Sequence, residues 1–434
     1  MEVDMQTTAP EGYHASLDLF NHPAKDVALI KRDWVDYAPN NAISEDAPIE
    51  FNIEANSLRY VDLSKTLLHI KAKVVRGDGT DINAEDSVVP INLTLQSLWR
   101  QVDLSLNQIP LPSVGTNYPY KSIVDALLSN GEDAKKSQLQ TQFYSKDTAG
   151  SMDNTEFGTN KGINWRHELT AMSNIVEMMG PLYLDLAQQN RALINSVSIG
   201  IKLWPSSSRF RLMAKDPEPP APKADYKIKI MEATLKVCQV EVNAKVMLGH
   251  EEALNNNPAL YPYSRSEIKT YTMAEGIQNY RIDNLFNGDV PSRLVVGLVS
   301  GSAYSGSYAK NPFNFANYDL NSMAFYVDNV PAPQKPFTPK FDTEDAGTYT
   351  TPYLALCGNN NIGKDLGNYI GLRDFPRGYA LYRFDVGENN QKIKMGNTRL
   401  ELSFDTKLPH VVTVVMYAHF PALMRIDKSR KIQL

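Results

Sequence analysis

Val102-Asp103-Leu104-Ser105-Leu106-Asn107, followed by Pro110 and Pro112, is answered 222 residues later by Ala324-Phe325-Tyr326-Val327-Asp328-Asn329, followed by Pro331 and Pro333. Each run alternates side chains between two faces, then ends in polar turn formers and prolines, the pattern of a strand entering a tight turn. Three more matches keep the same order. Residues 49–53 with 65–75 correspond to 277–282 with 293–299, 180–185 to 378–385, and 226–242 to 411–426. Short alternating strands resemble one another by chance, so the order of the matches carries the argument. It predicts one strand sequence used twice.

The alternation shows what each strand buries. Leu68, Ile70, Ala72 and Val74 share a face, as do Val197, Ile199, Ile201 and Leu203, and Leu400, Leu402 and Phe404. Val412, Val414, Met416, Ala418 and Phe420 form a further row, opposite a face that is itself partly apolar at Tyr417. Rows of this kind fit strands of a sandwich with one face on the core. Composition agrees: 85 of 434 residues are Asn, Pro or Gly, too much punctuation for long helices. Two short helices are expected, at 121–130 with Gly131 as a left-handed cap, and at 243–254.

The repeat also places the boundary. The Pro-rich stretch 216–222 reads as a linker, yet 226–242 matches the final strand of the second half. The division expected is therefore an N-terminal arm over 1–48, a first unit over 49–242, a linker helix over 243–260, and a second unit with tail over 261–434. The arm is acidic: residues 1–50 hold 10 acidic and 3 basic side chains, more than the whole net charge of −5. That balance excludes a coat protein with a broadly basic face. Two cysteines, Cys238 and Cys357, make no disulfide framework, and a reducing compartment is the expectation. Neither a signal-peptide core nor an 18-residue apolar run occurs, so no transmembrane segment is expected.

Motifs for chemistry are incomplete. Gly358-Asn359-Asn360-Asn361-Ile362-Gly363-Lys364 has phosphate-loop spacing, but Asp365 stands where Ser or Thr must ligate magnesium, and it would repel phosphate. His167-Glu168 and His250-Glu251 start like zinc motifs but meet Ala171 and Leu254 where the second imidazole belongs. No catalytic residue, metal or cofactor is assigned, and an enzyme is not expected. Aromatics cluster at Phe313, Phe315, Tyr318, Phe325 and Tyr326. Core packing accounts for at least half, and Phe313, Phe315 and Tyr318 are candidates for a subunit interface. Arg425, Lys428, Arg430 and Lys431 form a small basic cluster near the C-terminus.

Residues 98–107, 134–139 with 146–153, the run Asn311-Pro312-Phe313-Asn314-Phe315-Ala316-Asn317-Tyr318-Asp319-Leu320-Asn321, and the ending from 408–412 through 426–428 carry a family resemblance. Together they resemble the hexon-type, double jelly-roll major capsid proteins of the Maverick/Polinton and adintovirus group, over residues 17–430. The resemblance implies an all-β chain of two tandem jelly-roll sandwiches with a few short helices. It implies a homotrimer that tiles an icosahedral double-stranded DNA virus or virus-like transposon shell as a pseudo-hexagonal unit, located in the virion capsid. Self-association, minor capsid or penton proteins, and weak genome contact through the C-terminal tail are the partners implied. Residues 131–165 and 329–376 become candidates for the outer top, and the arm with Arg425, Lys428, Arg430 and Lys431 for the base. The alternative is a host-retained capsid-derived scaffold or glycan-binding sandwich that forms no particles.

Overall fold

The computed structural model describes residues 28–45, 47–84, 86–155, 158–215, 225–341, 348–358, 367–386 and 394–434. In the first half the principal strands are β1 (Leu29–Tyr37), β2 (Ile49–Ile53), β3 (Arg59–Arg76), β4 (Trp99–Leu106), β5 (Ile109–Pro110), β6 (Val176–Pro181), β7 (Ile199–Pro205) and β8 (Tyr226–Val242). They form two antiparallel sheets, ordered β1-β8-β3-β6 and β2-β7-β4-β5. The second half supplies β9 (Ala259–Met273), β10 (Asn279–Asp283), β11 (Arg293–Ser300), β12 (Leu320–Val327), β13 (Val330–Pro331), β14 (Leu381–Asp385), β15 (Thr398–Phe404) and β16 (Val412–Ile426). Their sheets run β9-β16-β11-β14 and β10-β15-β12-β13, with Ile432–Gln433 added beside β16. The order is the same in both halves. Each half is a jelly roll, two sheets of crossing Greek-key connections packed face to face.

The two sequences that opened the comparison occupy equivalent places, β4–β5 and β12–β13. Both hairpins turn through two residues with positive φ: Asn107 and Gln108 at 47° and 65°, Asp328 and Asn329 at 50° and 66°. That is the type I′ geometry whose twist matches paired strands. The predicted faces are buried. Leu68, Ile70 and Ala72 on β3, Leu203 on β7, and Leu400 on β15 are fully shielded, and each large aliphatic contributes roughly 1.5–3 kcal/mol by leaving water.

β1 lies within the segment expected as an arm. Leu29–Tyr37 pairs with β8, Trp34 opposite Cys238 and Tyr37 opposite Leu235, as β9 pairs with β16. No residue of β1 is buried, so the strand lacks the apolar alternation that reveals the others. Residues 1–27, the Pro-rich stretch 216–222 and the phosphate-loop look-alike from 359 onward lie outside the described residues.

Four helices matter here: α1 (Tyr118–Ser129), α2 (Lys161–Thr170), α3 (Ala244–Ala253) and α4 (Thr350–Cys357). α1 ends without the left-handed glycine cap expected at Gly131; Asn130 leaves it extended, and Gly131 has φ −80°. Side chains replace the cap. Lys135 Nζ donates to Leu127 O at 2.7 Å and Asn130 Nδ2 to Ala126 O at 3.2 Å, which satisfies carbonyls that the helix end leaves open. α3 forms within the stretch read as a helix over 243–254, with Asn243 Oδ1 accepting from Lys245 N at 3.0 Å as its N-cap.

Two poles follow from strand direction. The connections after β3, β5 and β7 gather at one end, and so do those after β11, β13 and β15. There Lys146 of the first half meets Asp374 at 2.6 Å, and Lys310 meets Asp153 at 3.1 Å. α3, the β4–β5 turn and the C-terminal tail occupy the opposite pole, where Asn107 Nδ2 donates to Arg430 O. The cores interpenetrate. Ile91, Tyr120, Ile123, Leu127, Tyr144 and Ile163 pack with the second roll, while Tyr261, Tyr308, Met424 and Ile426 pack with the first.

Candidate functional site

The most highly built surface is the seam between the rolls. α1 enters it because Tyr120, Ile123, Val124 and Leu127 find their apolar partners in the second roll. Lys121, one residue along, is thereby buried, and it pairs with Asp125 at 2.8 Å and with Asp185 at 3.2 Å. Tyr417 of β16 donates to Asp125 Oδ1 at 2.7 Å, and Ser266 N of β9 donates to Asp185 Oδ2 at 2.7 Å. Burial alone would depress the Lys121 ammonium, but Asp125, Tyr417 and Asp185 outweigh it and hold it well above its ordinary value. Burial likewise works to raise the Asp125 carboxyl, and Lys121 overrides it downward. The cluster is charged and closed.

His419 flanks the cluster, its ring 4.5 Å from that of Tyr417 and its Nδ1 3.1 Å from Ser264 Oγ. Burial pushes its imidazole down to about 4, against the pull of Asp125. An unfolded histidine takes its proton near pH 6.5. Between pH 6.5 and 4 the unfolded chain therefore binds a proton that the folded chain refuses, so stability falls as pH falls, by about 3 kcal/mol across the window. Thermal melts of wild type and His419→Gln between pH 7 and 4 check this: the variant loses that part of the slope.

A second polar hub ties the insertions together at their shared pole. Arg166 of α2 is fully buried and donates to Pro90 O, Ser145 O and Asp147 Oδ1 at 2.9, 3.0 and 2.8 Å. Tyr379 of the second roll donates to Asp147 O at 2.7 Å, and Asn311 N donates to Asp153 Oδ1 at 2.8 Å. Asn160 caps α2 through its own Oδ1, accepting from Gly162 N and Ile163 N.

The sequence-level candidates fall in three places. Phe313 and Phe315 are 4% and 0% exposed inside the chain's own core, so they cannot meet another subunit; this corrects the interface expectation. Phe315 sits against Gly297, where a Cβ would approach its ring to 2.6 Å. Tyr318 is half-buried, its hydroxyl 3.3 Å from His410 Nε2, and is held within the second roll. Arg430 is also committed internally: it pairs with Glu251 of α3 and donates to Asn195 O at 3.0 Å and Asn195 Oδ1 at 2.9 Å. Lys428 reaches Asn255 at 2.6 Å but stays exposed, with Arg425 and Lys431.

The feature that the sequence concealed is the free edge. β9, the edge strand of the second roll, is covered by the first roll through the Asp185–Ser266 bond. β1 holds the equivalent position in the first roll, and among the described residues no strand pairs with its outer side. It presents Leu29, Ile30 and Trp34, of which Ile30 is 60% and Trp34 51% exposed. Unprotected edges with apolar side chains invite pairing with another chain. Among the described residues no cluster of three His, Cys, Asp or Glu could hold a metal ion, and no helix is long and apolar enough to cross a membrane.

No protein-family model matches the chain. An uncharacterized protein of Caenorhabditis elegans is 24% identical over 430 residues, 94% of this chain and 98% of the worm protein. Among solved structures, a chain of the Sputnik virophage superposes with TM-score 0.63 at 10% identity, covering 98% of this chain and 92% of its own. The crystal structure of the mavirus major capsid protein gives 0.53 at 12% identity, over 100% of this chain and 96% of that one. These likenesses and the strand order define the fold as the double jelly roll found in viral major capsid proteins.

Proposed function

We propose that the chain is a major capsid protein: a homotrimer whose six rolls form a pseudo-hexagonal tile of an icosahedral shell. The observation that carries this reading is that the chain covers one roll edge, while among the described residues no strand pairs with its equivalent. Within the chain, the first roll covers β9. In a ring of three chains, each second roll would cover the next chain's β1 in the same way, a closed heterologous contact. The division into arm, first roll 49–242, linker 243–260 and second roll 261–434 belongs to this reading, with β1 as the arm's contribution to the sheet.

The resemblance carried by residues 98–107, 134–153, 311–321 and 408–428 supports placement in the Maverick/Polinton and adintovirus group. In the shell, the insertion-bearing pole faces outward, and the pole of α3 and the tail faces the genome. Arg425, Lys428 and Lys431 remain available there for weak contact with nucleic acid, and penton or minor capsid proteins complete the vertices. Light scattering of the purified chain tests the assembly, with a mass three times 48.6 kDa expected and a hexagonal outline by negative stain. A monodisperse monomer at high concentration would sink it.

The edge makes a sharper expectation. Ile30→Asp with Trp34→Ala should weaken trimerisation at least 100-fold, since two interface anchors of about 2 kcal/mol each are removed. Because both side chains are exposed in the single chain, far-ultraviolet circular dichroism should stay unchanged. Sedimentation velocity reads the dissociation.

A further inference from the structure

A cleft of about 640 Å³ opens against α3 at the pole of the C-terminal tail. Val246, His250 and Ala253, which share one face of the helix, form one wall. None of the ten residues of α3 is buried. A helix of that length is marginal alone in water and holds by packing an apolar face. Here that face looks onto the cleft, so an apolar occupant would complete its packing. The accessible lining is alkyl: Val246 and Ala253, with Ala192 and Ala259, and Leu29 and Leu260 at 36% and 44% exposure. Beneath them the tyrosine hydroxyls are already satisfied. Tyr60 Oη lies 2.8 Å from His250 Nδ1, and Tyr261 Oη accepts from Ile194 N at 3.0 Å. The cleft therefore offers hydrocarbon a surface to leave water on, and asks no hydroxyl of a ligand.

Charge narrows the class. Arg191 lines the cleft from an exposed position, and among the described residues its hydrogen bond is from Nη1 to Leu260 O at 2.5 Å. After one such bond a guanidinium has donors to spare, and it matches a carboxylate in a fork. No acidic side chain lines the cleft among the described residues, and Glu251, next to His250, is engaged by Arg430. We propose that this cleft binds a long-chain fatty acid. The alkyl chain lies between α3 and Leu29 and Leu260, and the carboxylate meets Arg191. A cationic amphiphile would be repelled there, and a neutral one would gain nothing from the guanidinium. The cleft's volume lies within the range of small-molecule sites. The proposal does not rest on shell assembly, because every residue named belongs to one chain.

Titration calorimetry of the full purified chain tests it, with dodecanoate below its micelle concentration, butanoate, dodecyltrimethylammonium and phosphatidylserine vesicles as probes. Dodecanoate should saturate one site per chain, with butanoate and the ammonium amphiphile each roughly tenfold weaker or more. Hydrogen exchange of the α3 amides should slow when it binds. Arg191→Ala should weaken dodecanoate about fivefold, as for an exposed ion pair, and leave the ammonium amphiphile no weaker. Ala253→Trp, at an exposed position on the cleft wall, should abolish binding with an unchanged melting temperature. Failure of dodecanoate to saturate overturns the proposal, as does equal affinity for the ammonium amphiphile or affinity indifferent to both substitutions. Binding to the vesicles without binding of free dodecanoate overturns it too, and assigns the cleft to a bilayer surface.

Discussion

Replacing Arg166 by Ala should remove about 3–5 kcal/mol of folding stability, the range for breaking a buried ion pair from one side. The guanidinium is fully enclosed and Asp147 is 2% exposed. Without it, that carboxylate stays buried with only Asn92 Nδ2 at 3.4 Å and Asn311 Nδ2 at 3.5 Å as side-chain donors; the Pro90 carbonyl loses its guanidinium donor, and the Ser145 carbonyl keeps only Asn92 Nδ2 at 2.7 Å. Whole domains are stable by only about 5–15 kcal/mol, so soluble yield should drop as well. Urea denaturation measures the loss. The double variant Arg166→Met/Asp147→Leu should recover much of it, because the desolvation penalty leaves with both charges. Equal losses in the single and double variants would show that the packing of α2, and not the ion pair, sets the effect. Gly162 beside the hub allows no relief, since a Cβ there would lie 2.7 Å from Lys146 O.

Lys121→Met should act at the seam, with about 3–4 kcal/mol lost at pH 7. Asp125 and Asp185 would then remain buried with no cation between them, held by Tyr417, Gln188 and Ser266 N alone. The pH signature differs in sign from wild type. In wild type the Asp125 carboxyl is depressed, so its contribution is present above pH 4 and vanishes below as the proton binds. Without Lys121, burial raises the folded Asp125 carboxyl above its unfolded value. The folded variant then binds protons more readily than the unfolded chain, and its deficit narrows as pH falls from 7 toward 5. Thermal melts at pH 7 and pH 5 read the difference; a deficit constant across that interval would show that lost packing, and not stranded charge, is responsible.

The rolls were legible because a sandwich strand buries one face. Leu68 to Val74, Leu400 to Phe404 and the paired Asn107 and Asp328 turns all carry that period in the sequence. β1 escaped for the opposite reason: it lies on a sheet edge with Leu29, Ile30 and Trp34 exposed to solvent, and an exposed strand has no alternation to show. Phe313 and Phe315 read as surface aromatics among asparagines, yet Gly297 opens a recess in β11 that Phe315 fills, which only the paired geometry reveals. Nothing in the sequence around Arg166 and Lys121 signals that either is buried. Arg166 finds Asp147 19 residues away, and Lys121, besides Asp125 on its own helix, finds Asp185 64 residues away; those two distant partners lie beyond any local pattern. The free edge was thus the least readable part and the hairpins the most.

The interpenetrating cores have a consequence for synthesis. When the first roll leaves the ribosome, Ile91, Tyr120, Ile123, Leu127, Tyr144 and Ile163 still lack the strands they pack on. β16, the central strand that joins β9 to β11, emerges near the end of translation. The first half must therefore wait with an open apolar flank, a state that recruits chaperones and is cleared by proteases. Truncated chains would not persist as half-built subunits. The fold works as a quality check, in which only a chain read through β16 can close its own interior.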